Sequence, residues 1–319
     1  MKKILLSLGT LVFAGGLLAG GTGAYMTGIQ TSTGNTFASG IIDLTVDNES
    51  YVTNGVGTLV FSTSTSWLPS SLAGKYFFNF QDVKPGDIGE DTISLHIGTN
   101  DAWSCMKVSL TGTPENGRLD PEIKAGDTSG GSNQGELQNV LQFAFWADDG
   151  DNVYEKGEKI YKEGRVKDIF LGTWWTLADA GENIWKSKIP GYSGDSSGNW
   201  SGKNDDYDDG HHQGNSNGDP LRGKSTVYIG KVWCFGKLAA APVKPDGLGK
   251  TGTGIGGSTN GPLQRHATGF TCNGQPVGNV YQSDGIKVDV SFIAIQSRDN
   301  SSFKCAKSAS SGSNDGHDD

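Results

Sequence analysis

Between Asp148 and Glu158 the chain gathers Asp148, Asp149, Asp151, Asn152, Glu155 and Glu158 in one short stretch. Hard cations such as calcium take about six to eight oxygens, which loops of about 12 residues supply from alternate side chains and one backbone carbonyl. Counted back from Glu158 as the bidentate end, Glu155 takes the ninth position, the Val153 carbonyl the seventh and Asp151 the fifth. Asn152 then falls where such loops use glycine, and asparagine tolerates a left-handed backbone. The front half is one residue short, so Asp148 and Asp149 reach the first and third positions only if the loop is compressed. The pattern predicts a calcium site; the competing reading is a solvated acidic turn. No organic cofactor is expected.

Other patterns carry less. Asp205, Asp206, Asp208, Asp209, His211 and His212 form a second acidic and histidine-rich cluster, but among flexible neighbours, so a solvated loop is the better reading. The run Gly218 to Ser225 fits a phosphate-loop expression and Gly252 to Gly257 a dinucleotide fingerprint. Each motif needs a strand before it and a helix after it, and neither stretch has both, so both are coincidences of a glycine-rich chain. The five histidines, His96, His211, His212, His266 and His317, show no zinc-ligand spacing, and no Gly-x-Ser-x-Gly elbow occurs. An enzyme is therefore not expected. Exposed tryptophans can stack on sugars; Trp174 and Trp175 are the best candidates for such a platform, whereas Trp146 and Trp233 lie in strand-like runs and read as core.

Lys2 and Lys3, the apolar run Ile4 to Leu18 and the small residues around Thr22 and Ala24 have the form of a secretory signal. Cleavage is expected after Ala24, and the apolar run is shorter than the ~20 residues a membrane helix needs. The expectation is a secreted, extracellular or cell-surface protein. The formal charge is −9, and loss of Lys2 and Lys3 lowers it further, which disfavours nucleic acid as a partner. Glycine supplies 49 of 319 residues, about twice the usual share, mostly in loops. Four cysteines in an exported chain read as two disulfides. Cys234 with Cys272 and Cys105 with Cys305 is the preferred pairing, although sequence leaves the other two connectivities open.

The elements that must position these residues are strands. Apolar residues alternate at Ile42, Leu44 and Val46; Tyr76, Phe78 and Phe80; Ile93, Leu95 and Ile97; Leu141, Phe143 and Phe145; Val227 and Ile229; and Val288, Val290 and Phe292. Turn residues at Lys84 to Asp87 and Pro114 to Gly117 punctuate them. One short helix is expected near Thr176 to Ile184. The fold class is all-β, a jelly-roll-like β-sandwich over 41–305. Insertions at 191–219 and 244–261 have little to bury and read as mobile surface segments, and 306–319 as a disordered polar tail.

The join Gly21 to Tyr25, with Thr31 to Gly40 and Ile42 to Leu44, resembles the start of the TasA/camelysin family. Asp82 to Asp87 with Asp91 to Leu95 is similar to that family's Pro-Gly-Asp turn and following strand, and Lys287 to Ala294 to its closing strand. Residues 111–276 carry no such likeness. Met26 stands where the family has an aromatic residue, and Gly28 where it has an acidic one.

The resemblance implies export through a dedicated signal peptidase and a jelly-roll subunit of an extracellular fibre or biofilm matrix. Its partners would be other copies of itself, each receiving the 25–40 segment of the next as a donated strand. Tyr25, Thr27, Ile29, Thr31 and Thr33 suit that role, uninterrupted by charge or proline. The alternatives are a monomeric surface module that binds polysaccharide and, third, a secreted metalloprotease-like enzyme.

Overall fold

The computed structural model describes residues 27–31, 38–39, 43–55, 57–185, 218–252 and 254–305. The leader at 1–24, Tyr25, Thr33, the Asp205 to His212 cluster, nearly all of the 191–219 insertion and the 306–319 tail lie outside them.

Two antiparallel sheets carry the fold. The first has the order β11 (Glu182–Asn183), β10 (Leu171–Asp179), β7 (Ala102–Gly112), β15 (Lys287–Gln296), β1 (Thr27–Thr31), β2 (Ala38–Ser39). The second runs β4 (Leu59–Phe61), β3 (Leu44–Thr53), β6 (Ile88–Ile97), β12 (Thr226–Phe235), β8 (Leu141–Asp148), β9 (Lys159–Arg165), with β5 (Trp67–Ser70) also paired to β3. A ribbon of β13 (Lys237–Ala240) and β14 (Phe270–Asn273) stands apart, and the described helices are short: α1 (Asp120–Lys124), α2 (Val166–Ile169) and α3 (Pro262–Arg265).

The inner faces meet in one core. Ile93 and Leu95 of β6, Phe143 and Phe145 of β8, Met106 and Val108 of β7 and Phe292 of β15 belong to it, each at most 2% exposed. The Phe145 and Trp175 rings, from opposite sheets, pack edge to face at 5.2 Å. Burial of such a side chain contributes about 1.5–3 kcal/mol relative to leaving it in water. This is the all-β sandwich expected from the alternating pattern. Both cysteine pairs form as preferred: Cys105 with Cys305 at a Cα separation of 5.8 Å, and Cys234 with Cys272 at 5.5 Å.

Three expectations are corrected. Tyr76, Phe78 and Phe80 form no strand; Phe77, the residue out of phase with them, is the buried one at 2%, while Tyr76 is 55% exposed. No helix spans Thr176 to Ile184: β10 occupies Leu171–Asp179, and register shifts on either side of Trp174 to Thr176 blur its period of two. The stretch 244–261 does bury residues, since Ser258 and Asn260 are at most 8% exposed and Asn260 bonds Asp246 and the Gly249 carbonyl.

That stretch belongs to an excursion, closed by Cys234 and Cys272, that covers the outer face of the second sheet. Phe270 from β14 joins Ala144, Trp146 and Val232 in a second apolar cluster, and stacks on Tyr154 at 4.9 Å. Gly230 makes room for it. A Cβ there would lie 2.0 Å from the Trp146 ring, so a larger residue would displace the indole.

Candidate metal centre

The acidic loop follows β8 directly, and the left-handed turn that the sequence places at Asn152 is present, with φ 64°. Its backbone wraps around its own carboxylates. Asp148 Oδ2 accepts the amides of Gly150 and Asn152 at 3.0 and 3.2 Å, and Trp146 Nε1 donates to Asp148 Oδ1 at 3.0 Å. Glu158 accepts the amides of Asp149 and Glu155 at 3.1 and 2.7 Å, which folds the end of the loop back onto its start.

The expected ligands divide into two groups. Asp148, Asp149 and Glu158 offer oxygens that all lie within 4.8 Å of one another. Asp151 and Glu155 converge instead with Asp246, on the arginine of α3: Arg265 Nη1 donates to Asp151 Oδ2 at 2.9 Å, to Glu155 Oε1, and lies 3.7 Å from Asp246. A single twelve-position frame is thus not what the loop builds. The Val153 amide donates to Asp151 Oδ1 at 2.9 Å, and Val153 is fully buried.

Two further acids lie under the cover. Glu49 accepts the Tyr51 hydroxyl at 2.6 Å and meets Lys250 at 3.4 Å. Glu90 is fully buried, and neither of its oxygens completes a hydrogen bond, although the Thr268 hydroxyl is near enough to favour its charged form. Asn152, 2% exposed, likewise has both side-chain polar atoms unpartnered. Among the described residues, only Lys250 and Arg265 form ion pairs with this layer of acids.

The electrostatic consequence is large. Burial, then Asp151 and Asp149, pushes Asp148 well above the carboxylate range. Burial followed by Glu155 raises Asp149 to about 7, and burial followed by Asp149 raises Asp151 to about 8. Burial and Asp148 push Glu158 up to about 11, and Glu90 rises well above its usual value for the same two reasons. Without a cation, these acids cannot all be ionised at neutral pH. Asp148, Asp149 and Glu158 are hard oxygen donors of the kind that suits calcium.

Sequence reasoning missed Glu49, Glu90, Asp246, Lys250 and Arg265. None carried a local signal: Glu90 lies in a strand that also holds Asp91, Thr92, Ser94 and His96. Trp174 and Trp175 do not present a shared face: Trp175 is 6% exposed in the core, and half-buried Trp174 has the Lys107 ammonium 4.7 Å above its ring. Of the other tryptophans, Trp67, Trp103, Trp146, Trp185 and Trp233 are all buried.

Comparison with family models, curated proteins and solved structures finds no match for this chain. Two disulfides are compatible with an extracellular protein; among the described residues no helix is long and apolar enough to cross a membrane.

Proposed function

We propose that this is an exported structural subunit of an extracellular fibre, joined by exchange of its N-terminal strand and stiffened by calcium in the 148–158 loop. The observation that carries the reading is the seat of β1. It pairs antiparallel with β15 of its own chain from Thr27↔Ile295 to Thr31↔Ser291, and among the described residues only the two-residue β2 lies beyond it. A strand that closes an edge through backbone hydrogen bonds can be replaced, like for like, by the same strand of another copy. Removal of β1 would leave β15 as an unpaired edge next to β7, which is the acceptor such a polymer requires. The TasA/camelysin resemblance of the chain start and of β15 points the same way.

The same pairing also closes a monomer, and that is the competing reading. Electron microscopy of the protein starting at Tyr25 separates the two, with long fibres expected. Proline removes a ladder hydrogen bond, so Ile29→Pro should abolish fibres and leave a folded monomer that accepts a peptide of residues 25–36. Dispersed parent monomers at high concentration, or normal polymers of Ile29→Pro, would reject the proposal.

A further inference from the structure

We propose that Glu115, Glu122 and Asp284, with Glu136 beside them, form a second divalent-cation site, of the calcium class, which clamps the 113–140 connection to the segment leading into β15. It lies apart from the 148–158 loop and shares no residue with it. Carboxylate oxygens of Glu115, Glu122 and Asp284 all fall within 4.8 Å of one another. Like charges at that spacing repel unless a cation or protons lie between them.

The oxygens left over point to a ligand. Glu115 is 9% exposed, and neither of its buried carboxylate oxygens meets a donor group; its carboxyl lies within hydrogen-bonding reach of Asp284, an acid-to-acid contact that needs a proton or a cation between the two. Asp284 Oδ1 and Glu136 Oε2 are buried and meet no donor either. Among the described residues no lysine, arginine or histidine forms an ion pair with any of the four. A buried carboxylate oxygen that meets neither a donor nor a cation is costly, and both oxygens of Glu115 and Oδ1 of Asp284 are of this kind within the converging group, with Glu136, whose other oxygen accepts the Ser129 hydroxyl, beside them.

The frame around them is built and held. Glu122, fully buried on α1, accepts the Leu119 amide and both the amide and the hydroxyl of Ser283, the last at 2.9 and 3.0 Å. Asp284 Oδ2 accepts the Glu136 amide at 2.6 Å. The Gly285 amide donates to the Pro114 carbonyl at 2.9 Å, and a Cβ on Gly135 would lie 2.6 Å from Asp284 Oδ1. Both groups that orient the acids and the absence of a side chain at Gly135 keep the free oxygens converging. Oxygens of Glu115, Glu122 and Asp284 would supply part of the six to eight that calcium takes, with water completing the shell; magnesium, which keeps most of its water, suits so many protein carboxylates less.

Calcium stoichiometry of the full mature protein, measured after equilibrium dialysis, is the test. The parent should bind two ions; Glu115→Gln or Asp284→Asn should bind one, as should Asp149→Asn. A parent that binds one ion, kept in Glu115→Gln and lost in Asp149→Asn, overturns this site and spares the loop. One ion lost in Glu115→Gln but kept in Asp149→Asn upholds this site and removes the loop. A parent that binds none overturns both. Should the single variants not fold, hydrogen exchange on the parent decides: added calcium should slow the Glu136 and Gly285 amides, and unchanged rates count against the site.

Discussion

Arg265 Nη1 lies 2.9 Å from Asp151 Oδ2, across 114 residues of sequence, and also meets Glu155. One arginine from the cover therefore pairs with the back half of the acidic loop, and among the described residues no cationic side chain pairs with Asp148, Asp149 or Glu158. Removal of Arg265 as Arg265→Met should cost about 3 kcal/mol, the penalty of leaving buried carboxylates uncompensated. Thermal melting should show a calcium-dependent recovery of part of that loss; a variant as stable as the parent would contradict the assignment.

Calcium itself should raise the melting temperature of the parent. An ion that binds only the folded chain stabilises it by RT ln(1 + [L]/Kd), about 2.7 kcal/mol at a hundredfold excess over Kd. Asp149→Asn and Glu158→Gln should each lose the shift assigned to the loop, whereas the Glu115 cluster should still respond. Melting curves of these variants that move with calcium as far as the parent's would place the ion elsewhere.

Asp179 gives a pH signature. Burial alone would raise it, but the amides of Gly181 and Cys305, the Lys304 ammonium and the Thr176 hydroxyl together hold it below its usual value. Because the folded value lies below the unfolded one, the unfolded chain takes up the proton first on acidification. The stabilisation is thus present above about pH 3.9 and lost as pH falls through the folded value. Asp179→Asn should cost about 2 kcal/mol at neutral pH, and the gap to the parent should close below that window in urea titrations. A gap independent of pH would contradict the role.

Lys231, 1% exposed, pairs with fully buried Asp91 at 3.0 Å and donates to the Phe77 carbonyl at 2.9 Å. Lys231→Met alone strands a buried carboxylate and should cost about 3–5 kcal/mol. Addition of Asp91→Leu should restore much of it, because a paired apolar replacement removes both desolvation penalties. Additive losses in a double-mutant cycle would show that the two groups do not act as a pair.

Strands with one solvated or one clearly apolar face were legible from period alone, as at Ile93, Leu95 and Ile97. β10 was not, because Trp174, Trp175, Leu177 and Ala178 lie on a strand whose register shifts twice, and a broken period of two mimics a helical one. Tyr76, Phe77 and Phe78 are contiguous aromatic residues, so the pattern could not say which of them is buried. The loop's own turn at Asn152 was readable, since the left-handed requirement is local. Its division between two groups was not: Arg265 and Asp246 reach the loop only through the cover, and no spacing rule connects them. The Glu115 cluster was hidden for the same reason, since Glu136 and Asp284 meet across 148 residues.

The central claim is that β1 passes between copies. In the self-paired chain Ile29 faces Ile293 across the β1 and β15 ladder, so the same register must recur between subunits if the strand is exchanged. Chains carrying only Ile29→Cys, mixed with chains carrying only Ile293→Cys and oxidised mildly during assembly, should give covalent dimers that contain one of each. If the mixture yields no such dimer, while a chain carrying both substitutions closes on itself and stays monomeric, the strand remains at home and the fibre account is wrong.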